Sequence, residues 1–285
     1  MVEDRADLPN AIALNSSMVN LSRVIGPSIG GVIIAAAGEA WCFAIDGLSY
    51  VAVIGSLLWM RVGVRRRVAT TTKMRHELRD GFRYVTSFPP VRSALLLLAL
   101  VSTMGMPYTV LMPAIARNVL HGDSHTLGFL MTASGCGALA GAFYLASRRS
   151  VIGLGRLIAV AACTFGVGLV LFSLSRNLTL SLIVLPAAGG GMMVTMAATN
   201  TILQTIVEER LRGRVMSFYA MAFLGTAPIG SLISGVIADR VGPTMTVTIG
   251  GVACIIGGIW FAFGLPKFRA HVRPIYVERG IIGRT

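Results

Sequence analysis

Residues 93–117 read SALLLLALVSTMGMPYTVLMPAIAR, a stretch in which the single charge is the terminal Arg117. A helix crosses about 30 Å of hydrocarbon with roughly 20 mostly apolar residues. The other structure that crosses a bilayer, a closed barrel, uses strands of about ten residues that alternate apolar and polar. SALLLLALV at 93–101 and LIVLPAAGG at 182–190 are apolar without alternation. Helices are therefore the reading, since they satisfy every backbone N–H and C=O within their own segment, as lipid requires where no barrel closes.

Working outward, seven further stretches of this kind are predicted at 11–37, 41–60, 127–147, 157–174, 179–206, 217–238 and 244–264. The expectation is an all-α membrane protein with eight transmembrane helices. Composition agrees: of 285 residues 54% are hydrophobic and 13% charged, whereas a soluble domain carries about 25% charged residues. A soluble globule is excluded on that ground. A disordered chain is excluded because such chains are poor in apolar residues.

The net charge of +13 raises the question of nucleic acid, but the cations are gathered between apolar spans and are not interleaved with aromatics on one face. Placing residues 1–10 inside puts 21 of the 25 Lys and Arg on the inner side. Arg117, Arg176 and Arg240 fall outside, and Arg23 lies within a span. By the positive-inside rule both termini are expected in the cytoplasm, and no nucleic-acid partner is expected. The opening MVEDRADLPN is acidic where a signal peptide would be basic. Cys42, Cys136, Cys163 and Cys254 all sit in apolar stretches without CxxC spacing, so neither a disulfide framework nor a metal site is implied.

The connector 61–92 separates two spans from six. Within it Met74, Leu78, Phe82 and Val85 recur at helical spacing beside Arg75, Arg79 and Arg83. This predicts an amphipathic helix on the inner membrane surface, arginines toward lipid phosphates, with a solvated linker helix as the alternative. An internal echo is also present. Val2-Glu3-Asp4-Arg5 matches Val207-Glu208-Glu209-Arg210, and Gly31-Val32-Ile33 matches Gly235-Val236-Ile237, at offsets of 205 and 204. Each pair holds the same place relative to a span, as related halves would. Four further spans are then expected ahead of residue 1.

Three motifs carry a family resemblance. Ser22-Arg23-Val24-Ile25-Gly26-Pro27-Ser28-Ile29-Gly30-Gly31 resembles the fifth-helix antiporter motif gxxxGPxxGG, with Ser22 in place of the first glycine. Thr199–Gln204 with Arg212–Tyr219 resembles a tenth-to-eleventh helix junction, and Leu127–Gly137 an eighth helix. The family is the major facilitator superfamily, in its drug- and siderophore-exporter branch. The resemblance implies that the chain corresponds to helices 5–12 of a six-plus-six transporter. Residues 1–60 would then be the last two helices of the N-terminal bundle, 61–92 the cytoplasmic connector, 93–264 a six-helix C-terminal bundle and 265–285 a basic cytoplasmic tail. It further implies a proton-coupled exporter of small amphipathic molecules in the bacterial inner membrane, completed by its first four helices or by another polypeptide that carries them. At the counterpart of the signature loop, Leu145–Arg149, Ser147 stands where an acidic residue is expected.

Gly26, Pro27, Gly30 and Gly31 suit a kinked, leak-tight seam, or ordinary close packing. Arg23, deep in a span, needs a partner or water. Asp46 is a candidate proton coupler or a structural carboxyl near the outer interface. Thr199, Asn200 and Gln204 can bond substrate or bridge helices. Tyr108, Met104 and Met196 can line an adaptable cavity or fill a core. Arg212 and Arg214, with Glu208 and Glu209 nearby, can form a cytoplasmic latch or simply supply inside charge. An enzyme is not expected, nor a cofactor. Gly135–Ala140 fits GxGxxA, but that fingerprint needs a preceding strand; Gly137 and Gly141 read as a packing face. No Walker A sequence occurs, and His76-Glu77 lacks the second histidine of HExxH. The readings from other classes are a membrane-embedded enzyme and a permease or assembly subunit. The first needs clustered titratable groups, and the spans offer Asp46 with Glu39 and Asp239 at their outer edge.

Overall fold

The computed structural model describes residue 33 and residues 39–59, 74–148 and 150–278. It divides into two compact units, residues 1–71 and 72–285. In the first the described element is α1 (Glu39–Trp59). The second holds α2 (Met74–Ser87), α3 (Pro89–Leu100), α4 (Tyr108–Asn118), α5 (Ser124–Ser147), α6 (Leu154–Leu174), α7 (Leu178–Ile206), α8 (Glu209–Ala220), α9 (Ala227–Val241) and α10 (Pro243–Glu278). A π turn at Val101–Gly105 joins α3 to α4, and another at Met221–Gly225 joins α8 to α9.

Among the described residues six helices are long and apolar enough to cross a membrane: Pro89–Asn118, Ser124–Ser147, Leu154–Leu174, Leu178–Ile206, Glu209–Val241 and Pro243–Glu278. Six of the eight expected spans are met by these helices. The stretch 41–60 falls on α1, whose apolar part, Phe43–Trp59, is shorter, and 11–37 lies outside the described residues.

Helix ends follow local chemistry. Phe88 is extended, as the residue ahead of a proline must be, and Pro89 and Pro90 open α3 where no intrahelical N–H is needed. Asp123 caps α5, its Oδ1 accepting from the Thr126 amide at 3.0 Å. Asn177 caps α7 in the same way through Thr179, at 2.9 Å. Gly153 precedes α6 at φ +82° and Gly242 ends α9 at φ +88°, values that a side chain disfavours.

Within the second unit α7 packs between α5 and α6, and α6 packs in turn against α10, which meets α3 and the first π turn. Small residues set these approaches. A Cβ on Gly166 would stand 2.5 Å from the Gly251 carbonyl, and one on Gly251 2.7 Å from the Gly166 carbonyl, so α6 and α10 touch backbone to backbone. A Cβ on Gly137 would overlap the Pro186 carbonyl, and one on Gly189 the Ser134 carbonyl, at the α5–α7 seam. Phe165 and Phe172, with no exposed surface, fill the space these seams leave.

The connector helix α2 docks on protein. Gly81 is buried against Arg214 and Phe218 of α8, Val85 joins the core, and Phe88 meets His271 of α10 edge-on at 6.5 Å between rings. Of the apolar stripe Val85 is buried, while Phe82, near Phe218 of α8, stays 60% exposed. The segment after residue 264, read as a tail, continues α10 to Glu278, with Leu265, Phe268, Val272 and Tyr276 buried.

Candidate functional site

Most hydroxyls in the spans return a hydrogen bond to the carbonyl one turn back, as Thr195, Thr201 and Thr205 do, and so are satisfied inside their own helix. The informative polar groups are those that reach elsewhere.

Asn200 and Gln204 are one turn apart on α7, and the Gln204 amide donates to the Asn200 side-chain oxygen. Asn200 is half-buried and Gln204 exposed. They continue a face of α7 that also carries Met193 and Ala197, neither of them buried. Two amides on an open face of a membrane-crossing helix are costly against lipid even when one bond links them. They suit a face that meets water, substrate or another helix. Thr199, beside them, points the other way: it is 1% exposed, and its hydroxyl has no hydrogen-bond partner among the described residues.

Tyr108 is 7% exposed and shares a 2.8 Å hydrogen bond with Ser134, linking α4 to α5, while its ring meets Phe165 edge-on. Met196 is half-buried on α7, and its backbone carbonyl accepts from the Tyr219 hydroxyl at 3.2 Å. The structure brings Asn200 and Gln204 together and sets Tyr108 in a helix contact.

A junction absent from the sequence reading lies between the π turns. The hydroxyl of Ser102, in the first π turn, donates to the carbonyl of Phe223, in the second, at 2.5 Å, and Pro228, just beyond the second turn, has no N–H to give. Pro107 likewise removes the helical donor to the Thr103 carbonyl, against which Gly230 of α9 packs so closely that a Cβ there would overlap it. Pro107 and Pro228, in mid-span two and three residues after Gly105 and Gly225, are the signal that could have located this joint.

Arg212 pairs with Glu209 at 3.8 Å within one turn of α8, so this ion pair bridges no two elements. The stem of Arg214 lies against Gly81 of α2. Asp46 is exposed in α1, and its backbone carbonyl accepts from the Ser49 hydroxyl. Arg23, Gly26, Pro27, Gly30 and Gly31 lie outside the described residues. Among the described residues no group of three or more His, Cys, Asp or Glu is placed to hold a metal.

Six membrane-length helices, glycine seams and a two-span π joint are the frame on which comparison with known proteins bears. The profile of the transmembrane secretion effector family matches residues 1–276. The chain belongs to that family, within the major facilitator superfamily. Among curated proteins, the chain is 24% identical over 262 residues to the staphyloferrin A transporter of Staphylococcus aureus, covering 92% of the chain and 65% of the relative. It is 26% identical over 273 residues to the multidrug efflux pump Tap of Mycolicibacterium fortuitum, covering 92% and 64%. It is 26% identical over 279 residues to the enterobactin exporter EntS of Citrobacter koseri, covering 97% and 66%. The chain thus spans about two thirds of the length of these relatives, all named as transporters or pumps. It is a multi-pass membrane protein.

Proposed function

We propose that this chain forms the export side of a secondary transporter: the last two helices of one bundle and the six of the other, corresponding to helices 5–12. It moves small amphipathic molecules of the drug or siderophore kind out of the cell, driven by protons, and does no covalent chemistry. Both termini lie in the cytoplasm, with the basic connectors on the inner face of the bacterial inner membrane.

The observation that carries this reading is the Asn200–Gln204 pair on the open face of α7. Amides there have a purpose if the face lines a passage in which an amphipathic solute is held by few hydrogen bonds and much apolar surface. Met193 on the same face supplies adaptable apolar contact. Alternating access between two related bundles moves such a site from one side of the membrane to the other. Arg23 would meet an anionic solute or a partner in the first four helices, and Asp46 would carry or sense the coupling proton.

The reading is tested in a complete transporter, the chain preceded by four spans, expressed in a bacterial strain that lacks its own exporters. Reduced accumulation of ethidium or of a catecholate siderophore, restored by an uncoupler, is the expected result. Accumulation equal to that of the empty strain for both classes would contradict it.

A further inference from the structure

Away from the open face of α7 with its amides, a groove of about 750 Å³ runs between α6, α7 and α10. Val160, Thr164, Val167 and Leu171 line it from α6, with Ile183 of α7 and Phe263 of α10. No charged side chain takes part. Val160 to Leu171 is about 17 Å at 1.5 Å per residue, comparable to the roughly 15 Å depth of one leaflet.

One end of this groove is cationic. Arg156 precedes Val160 by four residues on α6, and Lys267 follows Phe263 by four on α10, so each shares a face with the lining. A Cβ on Gly155 would stand 3.0 Å from Leu265 and 3.4 Å from Phe268, which places the start of α6 level with residues 265–268 of α10. Arg156 and Lys267 therefore flank the same mouth. Both are exposed, and neither has an ion-pair partner among the described residues.

An apolar slot one leaflet deep that ends between two cations has the outline of an amphiphile with an anionic head. We infer that this groove holds an acyl chain of an anionic phospholipid whose phosphate rests between Arg156 and Lys267. A second copy of the chain fits worse, because it would bring its own cations to this mouth on a body of net charge +13. The lipid would bind the outside of the bundle and stabilise the α6–α10 pair without entering the transport path.

Native mass spectrometry of the 285-residue chain in detergent, titrated with dioleoyl phosphatidylglycerol or dioleoyl phosphatidylcholine, tests this. The wild type should retain one phosphatidylglycerol at a concentration roughly tenfold below that needed for phosphatidylcholine. Arg156→Gln with Lys267→Gln should erase that preference, and Val167→Trp, which fills the groove, should weaken retention of both lipids. Arg117→Gln with Arg176→Gln, at the other end of the spans, should leave the preference intact. Lys267→Arg should keep it too, and serves as the comparison if a glutamine variant loses its wild-type circular dichroism. Equal retention of the two lipids by the wild type, preference surviving in the glutamine pair, or a dimer in place of a lipid adduct would each overturn the proposal.

Discussion

The Ser102 hydroxyl donates to the Phe223 carbonyl at 2.5 Å, tying together two π turns that lie 121 residues apart in the chain. Each turn sits in mid-span, so two membrane-crossing helices share one irregular joint. Ser102→Ala leaves the Phe223 carbonyl without this donor. It should cost about 0.6 kcal/mol, the average for interhelical hydrogen bonds in membranes, and at most about 1.7 kcal/mol, and speed amide exchange around Met221–Thr226. Ser102→Thr should keep both near wild type; thermal unfolding and hydrogen exchange in detergent are the checks.

Gly135 and Gly137 are two residues apart on α5, and their substitution should have opposite outcomes. A Cβ on Gly135 meets nothing within 4 Å, whereas one on Gly137 overlaps the Pro186 carbonyl. Gly137→Ala should destabilise by about 1–3 kcal/mol, typical of overpacking, while Gly135→Ala should be neutral or slightly stabilising. Equal melting temperatures for the two variants would show that α5 and α7 do not meet at this seam.

The Arg212–Glu209 pair is confined to one helical turn, with Glu209 92% exposed and Arg212 half-buried. Glu209→Gln should shift stability by less than about 1 kcal/mol and leave efflux by a complete transporter unchanged. A large loss of efflux at unchanged stability would assign this pair the latch role that its intrahelical geometry does not supply.

Asp123 lies between the first two membrane-length helices of the second unit. The Thr126 amide, donating to its carboxylate, holds its pKa below the ordinary value of 3.8. A depressed folded-state pKa contributes stability above the unfolded value, and that contribution is lost as pH falls from 3.8 through the lowered pKa. Asp123→Asn, which still caps, should remove this acid dependence while keeping the melting temperature at neutral pH. Asp123→Ala should lower it.

The six membrane-length helices among the described residues of the second unit were legible because continuous apolar runs leave no alternative in lipid. Their ends were less so. The run 127–147 omitted the polar first turn Ser124-His125-Thr126, which Asp123 caps into α5. The run 217–238 stopped at the charges, yet the helix begins at Glu209 and passes through Arg212-Gly213-Arg214. Hydropathy marks the part of a helix inside hydrocarbon, whereas capping and docking decide where the helix stops. The α2 stripe announced a need for burial but not its partner, since only tertiary packing sets Gly81 under Arg214 and Phe218. At the candidate site, the spacing of Asn200 and Gln204 made their meeting foreseeable. The π joint left no periodic trace, because it rests on one hydroxyl-to-carbonyl bond and one glycine contact between segments far apart in the chain.

The claim that matters most is that the open face of α7 lines the transport path. Proteoliposomes holding the complete transporter, loaded with a cationic dye or a catecholate siderophore and given an imposed pH gradient, measure it directly. Asn200→Leu with Gln204→Leu should reduce gradient-driven flux by roughly an order of magnitude, the effect of losing one or two hydrogen bonds of about 1 kcal/mol each, while the melting temperature stays within a few degrees of wild type. Undiminished flux in a correctly folded double variant would contradict the account.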